Sequence, residues 1–256
     1  MKKRLGNRLS LTGRGFHSIG LKGLVFGLRR RADQKPHPVR FLHIGKNAGT
    51  EINRWMTQLN TVQGEFFFEK CSHSTKLADL KRSDAYFFSI RDPISRFVSG
   101  FYSRKRKGQP RLYLEWSKHE RTAFEAFPHA NDLAEALFQD GETGSMAAKA
   151  MLSIFHVNSR QCDWFTGRGF FLEHRPPVWI IRQNAFEYDM DQLLLRLGLT
   201  PPMLGEETLR SHATNYEGIP PLSASAKENL RHWYWSDFEF VKLCTEWLEN
   251  QGSARN

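Results

Sequence analysis

The sequence predicts an α/β fold with a parallel sheet, and three observations carry that prediction. Apolar runs of strand length at residues 39–44 and 85–90 each break into a turn and then into a stretch with helical apolar spacing. A third such run, at 178–181, precedes an amphipathic stretch at 189–198. Strands that alternate with helices build parallel sheets flanked by helices. The chain can support one: it has 256 residues, 40% of them hydrophobic and twenty of them phenylalanine.

The first strand ends in His43-Ile44-Gly45-Lys46-Asn47-Ala48-Gly49-Thr50. Gly45 and Gly49 are expected to give the turn its backbone freedom. Ile52, Trp55, Met56 and Leu59 then mark one face of a helix. A strand–turn–helix aims free backbone N–H groups and a helix dipole at one spot, which suits a phosphate or sulfate. Lys46 adds a charge there, and Thr50 adds a hydroxyl at the helix start. Residues 64–68 read as a second strand, followed by the loop Cys71-Ser72-His73-Ser74 and a short helix around Leu77 and Leu80. After the strand at 85–90, Asp92 reads as an N-cap and Pro93 as the first helical residue. Phe97, Val98, Phe101 and Tyr102 form the apolar side of that helix. Lys46, His73 and Arg91 each follow a strand, so a parallel sheet brings them to one edge, where such sheets bind ligands.

Farther along, the signals are fainter. Residues 108–177 mix aromatic and basic side chains, among them Tyr113, Trp116, His119, Trp164, Arg168 and Arg175, around apolar positions such as Phe124, Leu133, Leu137 and Met151. In the stretch 189–198, Met190, Leu193, Leu194 and Leu197 face inward and Gly198 ends the helix. Leu230, Trp233 and Tyr234, then Phe238, Val241, Cys244 and Leu248, read as core of the final helices.

Charge narrows the partners. With 37 basic against 27 acidic residues the net charge is +10, which attracts a nucleotide, an anionic glycan, nucleic acid or an acidic membrane. No helix-turn-helix, zinc or RNA-recognition signature supports nucleic acid as the partner. The three cysteines, Cys71, Cys162 and Cys244, lie too far apart for a disulfide framework or a zinc pattern. They fit a reducing compartment, so a cytoplasmic location is expected. Residues 1–37 are basic, and their weakly apolar segment 19–28 is shorter than the ~20 residues that span a bilayer. They read as a flexible tail ahead of a domain at 38–256, with peripheral contact at the inner membrane face as the alternative.

The order His-Ile-x-Lys-x-Ala-Gly-Thr at 43–50 differs from the ATP-binding loop, in which the lysine follows the second glycine. It resembles the 5′-phosphosulfate loop of sulfotransferases that use 3′-phosphoadenosine 5′-phosphosulfate (PAPS), most closely those acting on carbohydrates. Residues 91–102, with Arg91, Asp92, Pro93, Arg96, Ser99 and Tyr102 in register, resemble the 3′-phosphate motif of the same family. The resemblance implies a P-loop-NTPase-like sheet and PAPS as co-substrate without a metal. It also implies a carbohydrate or other hydroxyl acceptor, itself open to being anionic. Donor binding then falls to Gly45, Lys46, Asn47, Ala48, Gly49 and Thr50 at the 5′ end, and to Arg91 and Ser99 at the 3′-phosphate. Arg96 is open between a phosphate contact and an ion pair with Asp92. Arg104, Lys105, Arg106 and Lys107 are open between a solvated face and an acceptor groove. The family often has an acidic residue and asparagine after its later strand, where this chain has Arg182-Gln183-Asn184. It also often has a nucleotide-contacting loop in the region of 212–215.

Sulfuryl transfer needs a base and positive charge on the leaving oxygen. Lys46 suits the second task. His73, in the loop between the two motifs, suits the first, because neutral imidazole accepts a proton near pH 7 and the resembled enzymes place a histidine similarly. Glu65 or Glu69 is the alternative base, and His43 reads as structural. Two rival functions remain at this level: a P-loop-like nucleotide kinase and a non-enzymatic, basic polyanion-binding protein.

Overall fold

A computed structural model of the chain describes residues 36–61, 64–167, 169–200 and 218–253. The expected tail falls on 1–37 and so lies almost wholly outside them, as do Arg168 and the segment 212–215. The elements run β1 (His37–Leu42), α1 (Gly49–Thr61), β2 (Phe66–Lys70), β3 (Ala85–Ile90), α2 (Pro93–Lys105), α3 (Lys118–Ala126), α4 (Ala130–Ala136), α5 (Gly141–Ser153), α6 (Phe171–His174), β4 (Ile180–Arg182), α7 (Phe186–Arg196), α8 (Ala224–Trp233) and α9 (Trp235–Ser253). The sheet has four strands in the order β2-β1-β3-β4. All three pairings are parallel. The carboxyl ends of the strands therefore share one edge, as the alternating pattern requires.

The boundaries shift by a few residues from the sequence reading. β1 stops at Leu42, which leaves His43 and Ile44 in the loop. β2 begins at Phe66 and runs on to Lys70. β4 begins at Ile180, although the Val178 N–H still donates to the Tyr86 carbonyl at 2.8 Å. α7 starts at Phe186, ahead of the expected 189, and ends where Gly198 takes a φ of 73°.

Aromatic rings cover both faces of the sheet. Phe41 stacks on Phe87 across the β1–β3 register, with centroids 5.1 Å apart, and Phe68 meets Phe87 edge-on at 6.3 Å. Phe88 points the other way, because successive strand residues alternate faces. It packs on Phe165 at 4.6 Å and against Phe171 and Phe240. Ile52, Trp55 and Met56 of α1, Met190, Leu193 and Leu194 of α7, and Cys244 and Leu248 of α9 complete this core. A second core gathers Phe97, Phe101 and Tyr102 of α2 with Phe124, Leu133, Met151 and Leu230 from α3, α4, α5 and α8. Much of the illegible middle of the sequence is thus a helical layer packed on α2.

That layer is tied to α2 by a buried ion pair. Arg104 forks onto Glu120, with Nε to Oε1 at 2.7 Å and Nη2 to Oε2 at 2.8 Å. Glu120 also closes the capping box of α3, accepting from the Ser117 N–H at 2.9 Å, and its Oε1 accepts from the Phe155 N–H at 3.1 Å. Burial alone raises the Glu120 carboxyl, but Arg104 and these backbone donors overcome that and hold it at about 2. Removing one partner of a buried pair strands the other. Glu120→Ala should therefore cost about 3–5 kcal/mol, read by urea unfolding at pH 7. In wild-type protein the contribution should be whole above the ordinary glutamate range and fade as pH falls toward about 2. A loss below about 1 kcal/mol, the surface-pair range, would show that the pair braces nothing.

Candidate active site

The loop between β1 and α1 takes an unusual backbone path. Lys46 and Ala48 have left-handed φ values of 70° and 58°, while the residues between and after them do not. Alternating handedness turns successive N–H groups toward one concavity, which is an anion-binding nest. Among the described residues, the N–H groups of residues 46–50 find no hydrogen-bond acceptor. The glycines serve a different purpose from the one expected. Neither Gly45 nor Gly49 has a positive φ; each allows an imidazole to come close. A Cβ on Gly45 would lie 2.7 Å from His156 Nδ1, and one on Gly49 would lie 2.0 Å from His43 Nε2.

Buried hydrogen bonds lock the loop to the end of β3. Asn47 is fully buried, and its Nδ2 donates to the Ser89 carbonyl at 2.8 Å and to Gln161 Oε1 at 2.7 Å. Ser89 Oγ donates back to the Asn47 carbonyl at 2.5 Å. Gln161 also accepts from the Arg91 N–H at 3.0 Å and donates to the Arg91 carbonyl at 2.9 Å. The Asn47 side chain is therefore turned into the protein, and only its backbone N–H faces the nest side. Arg96 does not pair with Asp92. It is buried, donating from Nε to the Gly45 carbonyl at 3.0 Å and from Nη1 to the Ser159 carbonyl at 2.7 Å. Asp92 instead caps α2, accepting from the Ser95 N–H at 2.7 Å.

Cations ring the concavity. Arg91 donates from Nε to Ser95 Oγ at 2.8 Å and from Nη1 to the Lys46 carbonyl at 3.2 Å. Ser99 lies one helical turn beyond Ser95 on the same side of α2. Arg111 donates to the Thr50 hydroxyl. Burial, then the charges of Arg111, Arg91, Arg106 and Arg96, push the Lys46 ammonium down to about 8. The four basic residues 104–107 divide in role. Arg104 is the buried brace, Lys105 donates to the Pro128 carbonyl, Lys107 pairs with Glu115 at 2.8 Å, and Arg106 acts on Lys46.

Beside the nest stands a stack of histidines. His73 lies on His43 with centroids 3.9 Å apart, and His156 meets His73 edge-on at 5.6 Å. His43 is buried behind Gly49, and burial with the neighbouring His73 pushes it down to about 2. His156 falls to about 3 through burial and the Lys46 charge. His73 keeps one side in solvent; burial of the rest and Lys70 lower it from 6.5. All three imidazoles are neutral at pH 7. The carboxylates stand elsewhere. Glu65 sits at the opposite, amino end of β2, its carbonyl accepting from the His37 N–H at 2.8 Å, and Glu69 is paired with Arg40. Among the described residues, no group of three histidine, cysteine, aspartate or glutamate side chains is placed to hold a metal. Nor is any helix among them long and apolar enough to cross a membrane.

Residues 32–140 match the family model described as the sulfotransferase family. No curated protein and no solved structure gives a significant match. The matched stretch carries the nest, His73, Arg91, Ser99, Arg106 and Arg111, and the match supports sulfuryl transfer as the general chemistry. Gln161 and His156 lie beyond it. Neither belongs to a motif, and only the tertiary structure brings them to the loop. Arg111 had a weak signal in the sequence, as one more cation after a basic run.

The close approach at Gly49 can be tested without a ligand. Gly49→Ala should lower stability by about 1–3 kcal/mol, the cost of overpacking a filled site, because buried His43 has nowhere to retreat. Gly252→Ala, where nothing lies within 4 Å, is the control and should not destabilise. Thermal unfolding of both variants reads the difference; equal midpoints would mean that the loop yields to the added methyl group.

Proposed function

We propose that this protein transfers the sulfuryl group of PAPS to an acceptor hydroxyl on a carbohydrate. The observation that carries the reading is the nest at residues 46–50. Its unpaired N–H groups share one edge of the sheet with Lys46, Arg91, Arg106 and Arg111. A donor with two separate phosphate groups matches such a spread of donors and cations. In this reading the 5′-phosphosulfate lies in the nest formed by Gly45, Lys46, Asn47, Ala48, Gly49 and Thr50. The 3′-phosphate lies against Arg91 and Ser99. Residues 38–256 form the sulfotransferase domain, with the basic tail outside it. The free thiols of Cys71, Cys162 and Cys244 support a reducing, cytoplasmic setting.

The chemistry follows from the roles. The acceptor oxygen attacks sulfur in line, and the bond between sulfur and the 5′-phosphate oxygen breaks. His73, neutral and open on one side, takes the hydroxyl proton. Lys46 and the loop N–H groups receive the negative charge that grows on the leaving phosphate. Support for His73 over the two glutamates is that Glu69 is engaged by Arg40 and Glu65 precedes the amino end of β2.

Transfer of labelled sulfate from PAPS, with ATP as the competing donor class, tests the reading. Lys46→Ala should abolish turnover and weaken donor binding. His73→Ala should keep donor affinity and lose about 10²–10⁴-fold in kcat. Full activity in His73→Ala, with Glu65→Gln or Glu69→Gln inactive, would move the base to that glutamate.

Because His73 is lowered from 6.5, kcat at saturating substrates should hold at neutral pH and drop only below that value. Because Lys46 is lowered to about 8 in the free protein, kcat/KM for the donor should fall as pH rises through 8. Lys46→Arg keeps its charge throughout, so an alkaline limb that survives in that variant belongs to another group.

A further inference from the structure

Two arginines grip the two ends of the nest, and only one of them belongs to a motif. Arg91 donates from Nη1 to the carbonyl of Lys46, the first residue of the nest, at 3.2 Å. Arg111 donates from Nη1 to the hydroxyl of Thr50, the last. Arg111 stands beyond α2 in a loop that closes on itself: the Leu114 N–H donates to the Lys107 carbonyl at 2.8 Å, and the Gly108 N–H to the Ser103 carbonyl at 2.8 Å. Arg104, itself held by buried Glu120, roots that loop by donating to the Leu114 carbonyl at 3.1 Å and to the Glu115 carbonyl at 3.3 Å. The loop thus delivers a guanidinium to Thr50 from an anchored base. The place is electrostatically unfavourable for a cation. Thr50 lies in the first turn of α1, at the positive end of the helix dipole. Lys46 is so near that Arg111 is the foremost charge acting on it. Among the described residues, no carboxylate pairs with Arg111, and it finds no hydrogen-bond acceptor besides Thr50.

We propose that Arg111 is a binding residue for the anionic 5′ end of the donor, holding the Thr50 oxygen so that the hydroxyl proton is free for the 5′-phosphate and adding its own charge to that of Lys46. The inference rests on the sulfotransferase reading and adds to it a residue from outside the two motifs. A threonine hydroxyl has one proton to give and lone pairs that accept. A guanidinium that occupies a lone pair leaves the proton for an anion, and a hydroxyl that accepts a charged bond becomes a better donor. A cation without a carboxylate, beside another cation and at a helix N-terminus, is unfavourable in the bare protein and favourable once negative charge arrives. A contact that served only to hold the loop would gain nothing from that placement, since a neutral amide could hold Thr50 without the repulsion. Arg91 at one end of the nest and Arg111 at the other then bracket the phosphosulfate, which fixes its direction along the loop.

Calorimetry on the full chain, with adenosine 3′,5′-bisphosphate and with adenosine 3′-monophosphate, separates the two ends of the nucleotide. Wild-type protein should bind the bisphosphate more tightly. Arg111→Gln should weaken the bisphosphate by about 10–100-fold, the range for a bond to a charged group. The same variant should keep wild-type affinity for the 3′-monophosphate, which also reports an intact fold. In wild-type protein the bisphosphate affinity should fall as pH rises through about 8, where Lys46 loses its proton. In Arg111→Gln that fall should move to higher pH, because the foremost charge acting on Lys46 is gone. In a Thr50→Val background Arg111→Gln should weaken binding less than it does in wild type, because the two residues act as a pair. The proposal is overturned if Arg111→Gln leaves bisphosphate affinity unchanged, if both nucleotides weaken alike, if the alkaline fall stays in place, or if the two substitutions add in full. It is overturned also if wild-type protein binds the two nucleotides equally well. Wild-type protein that binds neither nucleotide would instead remove the sulfotransferase reading, and this proposal with it.

Discussion

Everything at the sheet edge depends on the buried hydrogen bonds that join Asn47, Ser89, Gln161 and Arg91. Asn47 gives its amide protons to a β3 carbonyl and to Gln161, and Ser89 returns a bond to the Asn47 carbonyl. Gln161 then holds both backbone groups of Arg91. In a water-free interior such bonds are costly to lose. They hold a backbone that its own residues disfavour, since Lys46 and Ala48 occupy a region that non-glycine residues rarely adopt. The strain at these two positions is what exposes the loop N–H groups. Side chains that never face the concavity thus create it.

The same economy appears in the arginines. Four of them stand on α2 or just before or after it, and their roles are set by what surrounds each guanidinium. Arg96 and Arg104 are buried and braced, the first on the Gly45 carbonyl and the second on Glu120. Arg91 and Arg106 remain near Lys46 and act on it through space. Burial first, and then the like charges gathered around it, lower the Lys46 ammonium, and both effects are unfavourable for the bare site. An anion placed among these groups offsets them. The site is therefore built to be more comfortable filled than bare, which is the electrostatic signature of an anion-binding cleft.

The histidines show how one residue type takes three environments. His43 is buried behind Gly49, His156 is wedged between Gly45 and Gly100, and His73 alone keeps an open side. Burial keeps all of them neutral, but only exposure lets a neutral imidazole exchange a proton with a substrate. Their stacking also links the core ring Phe41, through His43 at 5.2 Å, to the surface ring of Phe155.

The sequence by itself determined the parallel sheet, the helices that follow β1 and β3, and the nest with its lysine, because these follow from local periodicity and from neighbours along the chain. It also placed Lys46, His73 and Arg91 near one edge, since parallel strands deliver their following residues together. Local patterns carry no information about contacts across long separations, and these decided the rest. Gln161 reaches Asn47 from 114 residues along the chain and Arg91 from 70. His156 fills the space that Gly45 leaves. Arg96, open in the sequence between a phosphate and Asp92, turns to the Gly45 carbonyl because packing buries it there. The glycines explain the divide most plainly: their spacing signalled a turn, but their purpose, to make room for two imidazoles, existed only once the chain had folded.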